Sequence, residues 1–148
     1  MRRKVRLPFS AEQVYRAILD PMILSAWFDV PYASTGWAPL QLFEIEDRGT
    51  PPGWKFRGFV VETVANRKIR IEREDKNAEA FRALVILLSR AEEGCEMEVA
   101  WSSTRLDRLA SAFLDPRGHQ RLGLVLDRFP EIRLPKDGAE TKPSAVGS

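Results

Sequence analysis

Few side chains in this chain could do covalent or acid–base work, and their spacing argues against it. His119 is the only histidine and Cys95 the only cysteine among 148 residues. A Ser-His-Asp triad would need His119 beside Ser102, Ser103 or Ser111, and nothing in the spacing brings them together. One histidine and one cysteine are a poor donor set for a metal centre. No catalytic residue, no metal and no cofactor is therefore expected. Cys95 lies in an alternating run, CEMEVAW, with Met97, Val99 and Trp101 in phase, and reads as a small buried apolar side chain. His119, in DPRGHQR, reads as an exposed residue on the first turn of the last helix. The acidic pairs Glu92-Glu93 and Glu72-Glu74 read as a turn and a solvated strand face. Asp29 is the one carboxylate of interest. It follows Trp27-Phe28, where a pocket mouth would desolvate it and raise its pKa; a residue at a surface helix end is the favoured account.

Binding chemistry is better represented. Four Trp and eight Phe are a generous allotment for this length. Trp27, Phe28, Trp37, Phe43, Trp54, Phe56 and Trp101 could wall a pocket or fill a dense core, and both arrangements give the same alternation. Tyr15, Tyr32, Thr63, Ser89 and Asp29 are the candidate polar groups for orienting a ligand in such a pocket. Arg2, Arg3, Lys4 and Arg6 could join Arg67, Lys68, Arg70 and Arg73 in a basic patch. No aromatics interleave them as a single-strand binder requires, and 23 basic residues are offset by 21 acidic ones. No nucleic-acid partner is expected.

The elements that must position these residues can be read in order. Residues 3–8 alternate as a first strand that Pro8 ends. Ser10 and Gln13 form a capping box for a helix with Val14, Ala17 and Ile18 on one face, and Phe9 is placed to staple onto Val14. Asp20-Pro21 restarts the chain as cap and first helical residue, and the second helix carries Ile23, Leu24, Trp27 and Phe28. Residues 29–37 read as a loop. Residues 39–46 read as a strand whose phase slips between Leu40/Leu42 and Phe43/Ile45, which predicts a bulge. DRGTPPG (47–53) is a turn-rich connection. Residues 54–64 and 67–74 predict a hairpin. A three-residue turn, 65–67, sets Thr63 opposite Ile69 and Val61 opposite Ile71, keeping the apolar set on one face. Gly58 in mid-strand predicts a bend or bulge.

EDKNAE (74–79) is a charged turn. Residues 80–90 are apolar on both faces, which predicts a strand that is central in the sheet or covered twice. A three-residue turn at Glu92-Glu93-Gly94 would set Leu87 against Val99 and Val85 against Trp101. The period then becomes helical: Leu106, Leu109, Ala110 and Phe113 form one stripe, and Leu122, Val125, Leu126 and Phe129 a second. Sixteen residues separate the stripes, so one straight helix would set them about 160° apart at 3.6 residues per turn. Asp115-Pro116 between them predicts a break, with Pro130 as the stop. A single domain over 1–134 is expected, then a small, polar, disordered tail over 135–148. No apolar run is long enough for a membrane span, no signal-peptide pattern opens the chain, and a lone cysteine allows no internal disulfide. A cytoplasmic location is expected.

Residues 9–28, with Pro8 before them, also carry a resemblance. They are similar to the first helical segment of START-like, helix-grip (SRPBCC) proteins, and more narrowly to homologues of the activator of the heat-shock-protein ATPase. The pattern P-x-S/A-x-E-x-V-Y/W-x-A-I/L-T/L-D-P-x-x-L-x-x-W-F is matched by Pro8, Ser10, Glu12, Val14, Tyr15, Ala17, Ile18, Asp20, Pro21, Leu24, Trp27 and Phe28. Residues 38–103 match the family only in strand order and spacing. The resemblance implies an α+β helix-grip fold: a curved antiparallel six-stranded sheet, two short helices after strand 1, and a C-terminal helix, broken near Pro116, over the concave face. It also implies an apolar ligand, a hydrophobic small molecule or lipid, held between sheet and helix by a soluble carrier or sensor. The strand residues that would line that cavity are Phe43, Val61, Thr63, Ile69, Ile71, Val85, Leu87, Met97, Val99 and Trp101. Trp27, Phe28 and Phe113 would line it from the helices, with Tyr15, Tyr32 and Asp29 as polar groups. A cyclase- or aromatase-like enzyme is the alternative on this fold, and it would need a general acid or base inside. A co-chaperone-type protein-interaction module is a further alternative, less favoured because the named activity in the family goes with an additional N-terminal domain that this sequence does not show. A homodimer through the final helix is a further candidate assembly.

Overall fold

The computed structural model describes residues 1–47, 54–74 and 83–128. The connections 48–53 and 75–82 and everything from 129 onward, with Phe129, Pro130 and the expected tail, lie outside the described residues. Among these residues seven strands form one antiparallel sheet in the order β1-β7-β6-β5-β4-β3-β2. The strands are β1 (Arg2–Leu7), β2 (Tyr32–Ser34), β3 (Gln41–Asp47), β4 (Trp54–Val64), β5 (Lys68–Arg73), β6 (Ala83–Ala91) and β7 (Gly94–Trp101). The helices are α1 (Ala11–Leu19), α2 (Pro21–Phe28), α3 (Asp107–Leu114), which follows a 3-10 turn, and α4 (Pro116–Arg128).

The helix starts obey local chemistry. Gln13 N–H donates to Ser10 Oγ at 3.1 Å and Ser10 N–H to Gln13 Oε1 at 2.7 Å, a complete capping box. Asp20 Oδ1 accepts from Met22 and Ile23 N–H, with Pro21 at the first helical position. Asp115 repeats the device for α4, accepting from Arg117 N–H at 3.0 Å. The predicted break therefore stands, and it lets each apolar stripe face its own partner. α3 packs against β7, and α4 against α2.

The sheet departs from expectation in four places. A seventh strand, Tyr32–Ser34, lies in the predicted loop; it is too short to show a period and pairs with Glu44–Glu46 of β3. The hydroxyl of Thr35 next to it donates to Ile18 O at 3.1 Å and ties this edge to the end of α1. β3 carries no bulge. Its register with β4 is continuous, and the phase slip arises because Leu40 sits ahead of the strand with φ 57 and its side chain in solvent. The bulge is on β4 instead, at Val61. The three-residue turn does set Thr63 opposite Ile69, but Val60, not Val61, stands opposite Ile71. Gly58 is not a bulge either. It pairs with Phe43 and Arg73, and a Cβ there would strike the Glu72 carbonyl, so glycine is needed for close strand approach.

The fourth departure matters most for any pocket. The β6–β7 turn has two residues, with Glu93 taking the left-handed φ of 64, and Ala91 pairs with Gly94. Ile86 therefore faces Val99, and Leu84 faces Trp101. Leu84, Ile86 and Leu88 are buried, whereas Val85 and Leu87 point to the outer face, where Val85 is half-buried and Leu87 exposed. One core remains, between the inner face and the helices. It contains Phe43, Ile69, Ile71, Met97, Val99 and Phe113, each with no exposed surface.

Candidate functional site

α3 has two faces. Leu106, Leu109, Ala110 and Phe113 are buried. On the opposite side Arg108, Ser111, Ala112 and Asp115 follow the same i, i+3, i+4, i+7 spacing, and with Asp107 they form one wall of a cleft of about 380 Å³. Phe28 from the end of α2, Trp54 from the start of β4 and Arg121 from α4 close the other sides. That volume lies at the low end of small-ligand sites, roughly 300–1,000 Å³.

Phe28 joins the cleft to the interior. It is only 8% exposed, and it belongs to a three-ring cluster. The Phe28–Phe113 centroids are 4.9 Å apart, Trp27–Phe113 5.6 Å and Trp27–Phe28 5.7 Å, all edge-to-face. Trp27 is wholly buried, and its indole N–H has no acceptor among the described residues. The first turn of α4 passes directly over it: a Cβ on Gly118 would lie 3.2 Å from both Cδ1 and Nε1 of Trp27.

The charged groups around the cleft are held in different ways. Arg121 Nε donates at 3.0 Å to Trp27 O, one of the carbonyls that the end of α2 leaves without a helical partner. The Arg108 guanidinium lies 5.7 Å from the centre of the Trp54 ring, a cation–π contact. Asp107 Oδ1 accepts the Trp101 indole N–H at 2.7 Å. Asp115 is occupied by Arg117, through its backbone N–H and through Nε at 3.7 Å.

The residues expected to line a cavity divide into groups. Trp27, Phe28, Phe43, Ile69, Ile71, Met97, Val99 and Phe113 meet in the core, and Tyr15 joins them there, stacked edge-on against Trp37 at 5.5 Å. Val85 and Leu87 are on the other face, with Leu87 38% exposed. Val61 is the extra residue of the bulge, and Thr63 is exposed at the end of the hairpin. Trp101 is half-buried at the sheet's end. Tyr32 is exposed on β2. Asp29 is also exposed: it is the left-handed C-cap of α2, its N–H donating to Ser25 O, so no pocket mouth encloses it. Ser89 is exposed on β6.

Two chemistry-bearing residues have structural employment. His119 is half-buried rather than exposed. Its Nε2 donates to Phe113 O at 2.8 Å and satisfies a carbonyl at the end of α3. Burial pushes the Cys95 thiol up to about 11, with a smaller push from the charge of Glu12. Among the described residues no group of three or more His, Cys, Asp or Glu could hold a metal ion, and no helix is long and apolar enough to cross a membrane.

Four of the eight basic residues that could have formed a patch are held in ion pairs. Arg2 bonds Glu98, Lys4 Glu96, Lys68 Glu62 and Arg70 Glu72. Arg57 bridges Glu44 and Glu74 across three strands, and those hydrogen bonds hold its pKa above the usual arginine value. A second concavity, of about 660 Å³, lies beside Met1, Arg2, Arg70, Val85 and Trp101. Its two arginines are among those already paired.

Sequence reasoning missed Arg108, Ser111, Asp115 and Arg121. The first three had a signal, since they repeat at helical spacing opposite the apolar stripe. Arg121 had none, because its partner Trp27 is 94 residues away.

The fold recurs in solved structures. A protein from Rhodobacter sphaeroides superposes with a TM-score of 0.64 at 17% identity, over 86% of this chain and 91% of that one. An AHSA1-like protein from Aeromonas hydrophila gives 0.63 at 12% identity, over 84% and 94%. The Aha1 dimer from Colwellia psychrerythraea, solved in solution, gives 0.54 at 13% identity, over 90% and 96%. A search of curated proteins finds no significant match. The family model for the Activator of Hsp90 ATPase homolog 1-like protein matches residues 8–131, and with the helix-grip architecture above, the chain belongs to that family within the START-like superfamily.

Proposed function

We propose that this protein binds a hydrophobic small molecule between its sheet and its C-terminal helices, as a soluble carrier or sensor. The observation that carries this reading is the double position of Phe28, which walls the cleft on one side and contacts Trp27 and Phe113 on the other. A ligand seated against Trp54 and Ala112 reaches the core by displacing this one ring. Tyr15, Phe43, Ile69, Ile71, Met97 and Val99 form the apolar interior behind it. These interior side chains are sealed from solvent, so entry is coupled to movement of the Phe28 ring.

A cyclase-like activity has weaker support. It needs a general acid or base in the interior, and the buried side chains there are apolar apart from Thr35, Tyr15 and Cys95 among the described residues. The co-chaperone and homodimer readings draw on no feature of the cleft. Pull-down with a heat-shock ATPase and light scattering address them directly.

The test of the ligand reading is titration with N-phenyl-1-naphthylamine, a neutral apolar fluorophore. Saturable enhancement at one site per chain is expected, and Ala112→Trp, which fills the cleft from α3, abolishes it. Wild-type protein that gives no saturable signal rules the reading out.

A further inference from the structure

We propose that the cleft selects amphiphiles carrying one oxyanionic head group, a carboxylate or a phosphate, and that Arg108 and Arg121 hold that group. The inference rests on the ligand reading above and narrows it to a chemical class. Both arginines line the cleft. Neither forms an ion pair among the described residues, in contrast to Arg2, Lys4, Arg57, Lys68, Arg70 and Arg117. Arg121 is half-buried, and its one hydrogen bond, from Nε to Trp27 O, orients the guanidinium and leaves its terminal amino groups without a protein partner among the described residues.

The two carboxylates at the same rim keep their charge, but among the described residues neither pairs with Arg108 or Arg121. Asp107 is hydrogen-bonded to Trp101, and Asp115 is committed to capping α4 and to Arg117. Arg108 meanwhile lies over Trp54. That contact uses the charge of the guanidinium and none of its N–H donors, which leaves them free to grip an oxyanion through two parallel bonds. The apolar body of the ligand then has Phe28, Trp54 and Ala112 to lie against. A neutral apolar molecule uses only the second half of this arrangement; an anionic amphiphile uses both.

Calorimetric titration of the full chain with decanoate, decyl phosphate and decanol tests the assignment. At least one of the two anions is expected to bind about tenfold or more tightly than decanol, the worth of one good charge-assisted contact. The tighter of the two identifies the head group. Arg108→Gln and Arg121→Gln should each remove about tenfold of the anion's affinity and leave decanol unchanged. Because Arg121 also holds the end of α2, Arg108→Gln, at an exposed side chain, keeps the test intact should the other variant unfold. Equal affinities for the anions and decanol overturn the inference and leave the ligand reading standing, as do variants that bind the anion as wild type does. Failure of all three compounds to bind overturns both.

Discussion

Phe28 separates two regions built on opposite rules. On its inner side Trp27 and Phe113 meet it edge-on in a space without exposed surface, closed over by the helix turn at Gly118. On its outer side a cleft of similar aromatic character, with Trp54, carries five polar or charged side chains and stays open. The inner region gains from tight packing, since dispersion and burial both grow as voids shrink. The outer one leaves groups unsatisfied by protein, which adds nothing to folding and is what a binding surface requires. Side chains of the inner region should therefore set stability, and those of the outer region should set affinity.

The largest effect belongs inside. Phe113→Ala removes the ring that touches both Trp27 and Phe28 and should lower the unfolding free energy by about 3–5 kcal/mol, read as the urea midpoint by circular dichroism. A loss below about 1 kcal/mol would mean that the three-ring cluster is not the closed region described here. Gly118→Val comes next. Its new methyls must enter space that the Trp27 indole already occupies, and overpacking of this kind costs about 1–3 kcal/mol. A neutral result would show that α4 can rise off Trp27 without loss, and the contrast between a closed and an open side would weaken accordingly.

The two regions also differed in how far sequence could reach them. The closed one announced itself through local chemistry: the Ser10/Gln13 box, Asp20-Pro21, and two apolar stripes that a straight helix would point about 160° apart, forcing a break where Asp115-Pro116 stands. These signals need only neighbours within a few residues. Register needs more. β7 alternates cleanly, so its inward set was legible. β6 carries Leu84, Val85, Ile86, Leu87 and Leu88 in a row, and nothing in that run says which parity faces in. A turn shorter by one residue then sent Val85 and Leu87 outward. Leu40 misled for a related reason, because an apolar side chain in a turn looks like strand phase until its φ of 57 is known. The cleft was the least legible part. Arg108, Ser111 and Asp115 have the spacing of any solvated helix face, and only the arrival of Trp54 and Arg121 from distant segments turns that face into a wall.

Asp115 tests a residue that belongs to both regions. It caps α4 and also lines the cleft. Asp115→Ala should cost about 1 kcal/mol of stability through the lost cap. It should at the same time tighten binding of an anionic amphiphile, because a negative charge leaves the rim. If stability falls and anion affinity falls with it, the cleft depends on the exact seating of α4, and the two regions are mechanically one.

Arg108→Ala carries the smallest stability effect and the sharpest discrimination. The side chain is exposed, and its described partner is the Trp54 ring, a contact worth about 0.5–1 kcal/mol at such sites. Alanine, a better helix former than arginine, offsets part of that. The urea curve should therefore shift by no more than about 0.5 kcal/mol, while decanoate or decyl phosphate loses about tenfold in affinity. The two readouts move independently only if the outer side of Phe28 contributes to binding and not to the fold. A variant that unfolds as early as Asp115→Ala would place Arg108 among the groups that hold α3 in position, and the cleft would then be a by-product of packing.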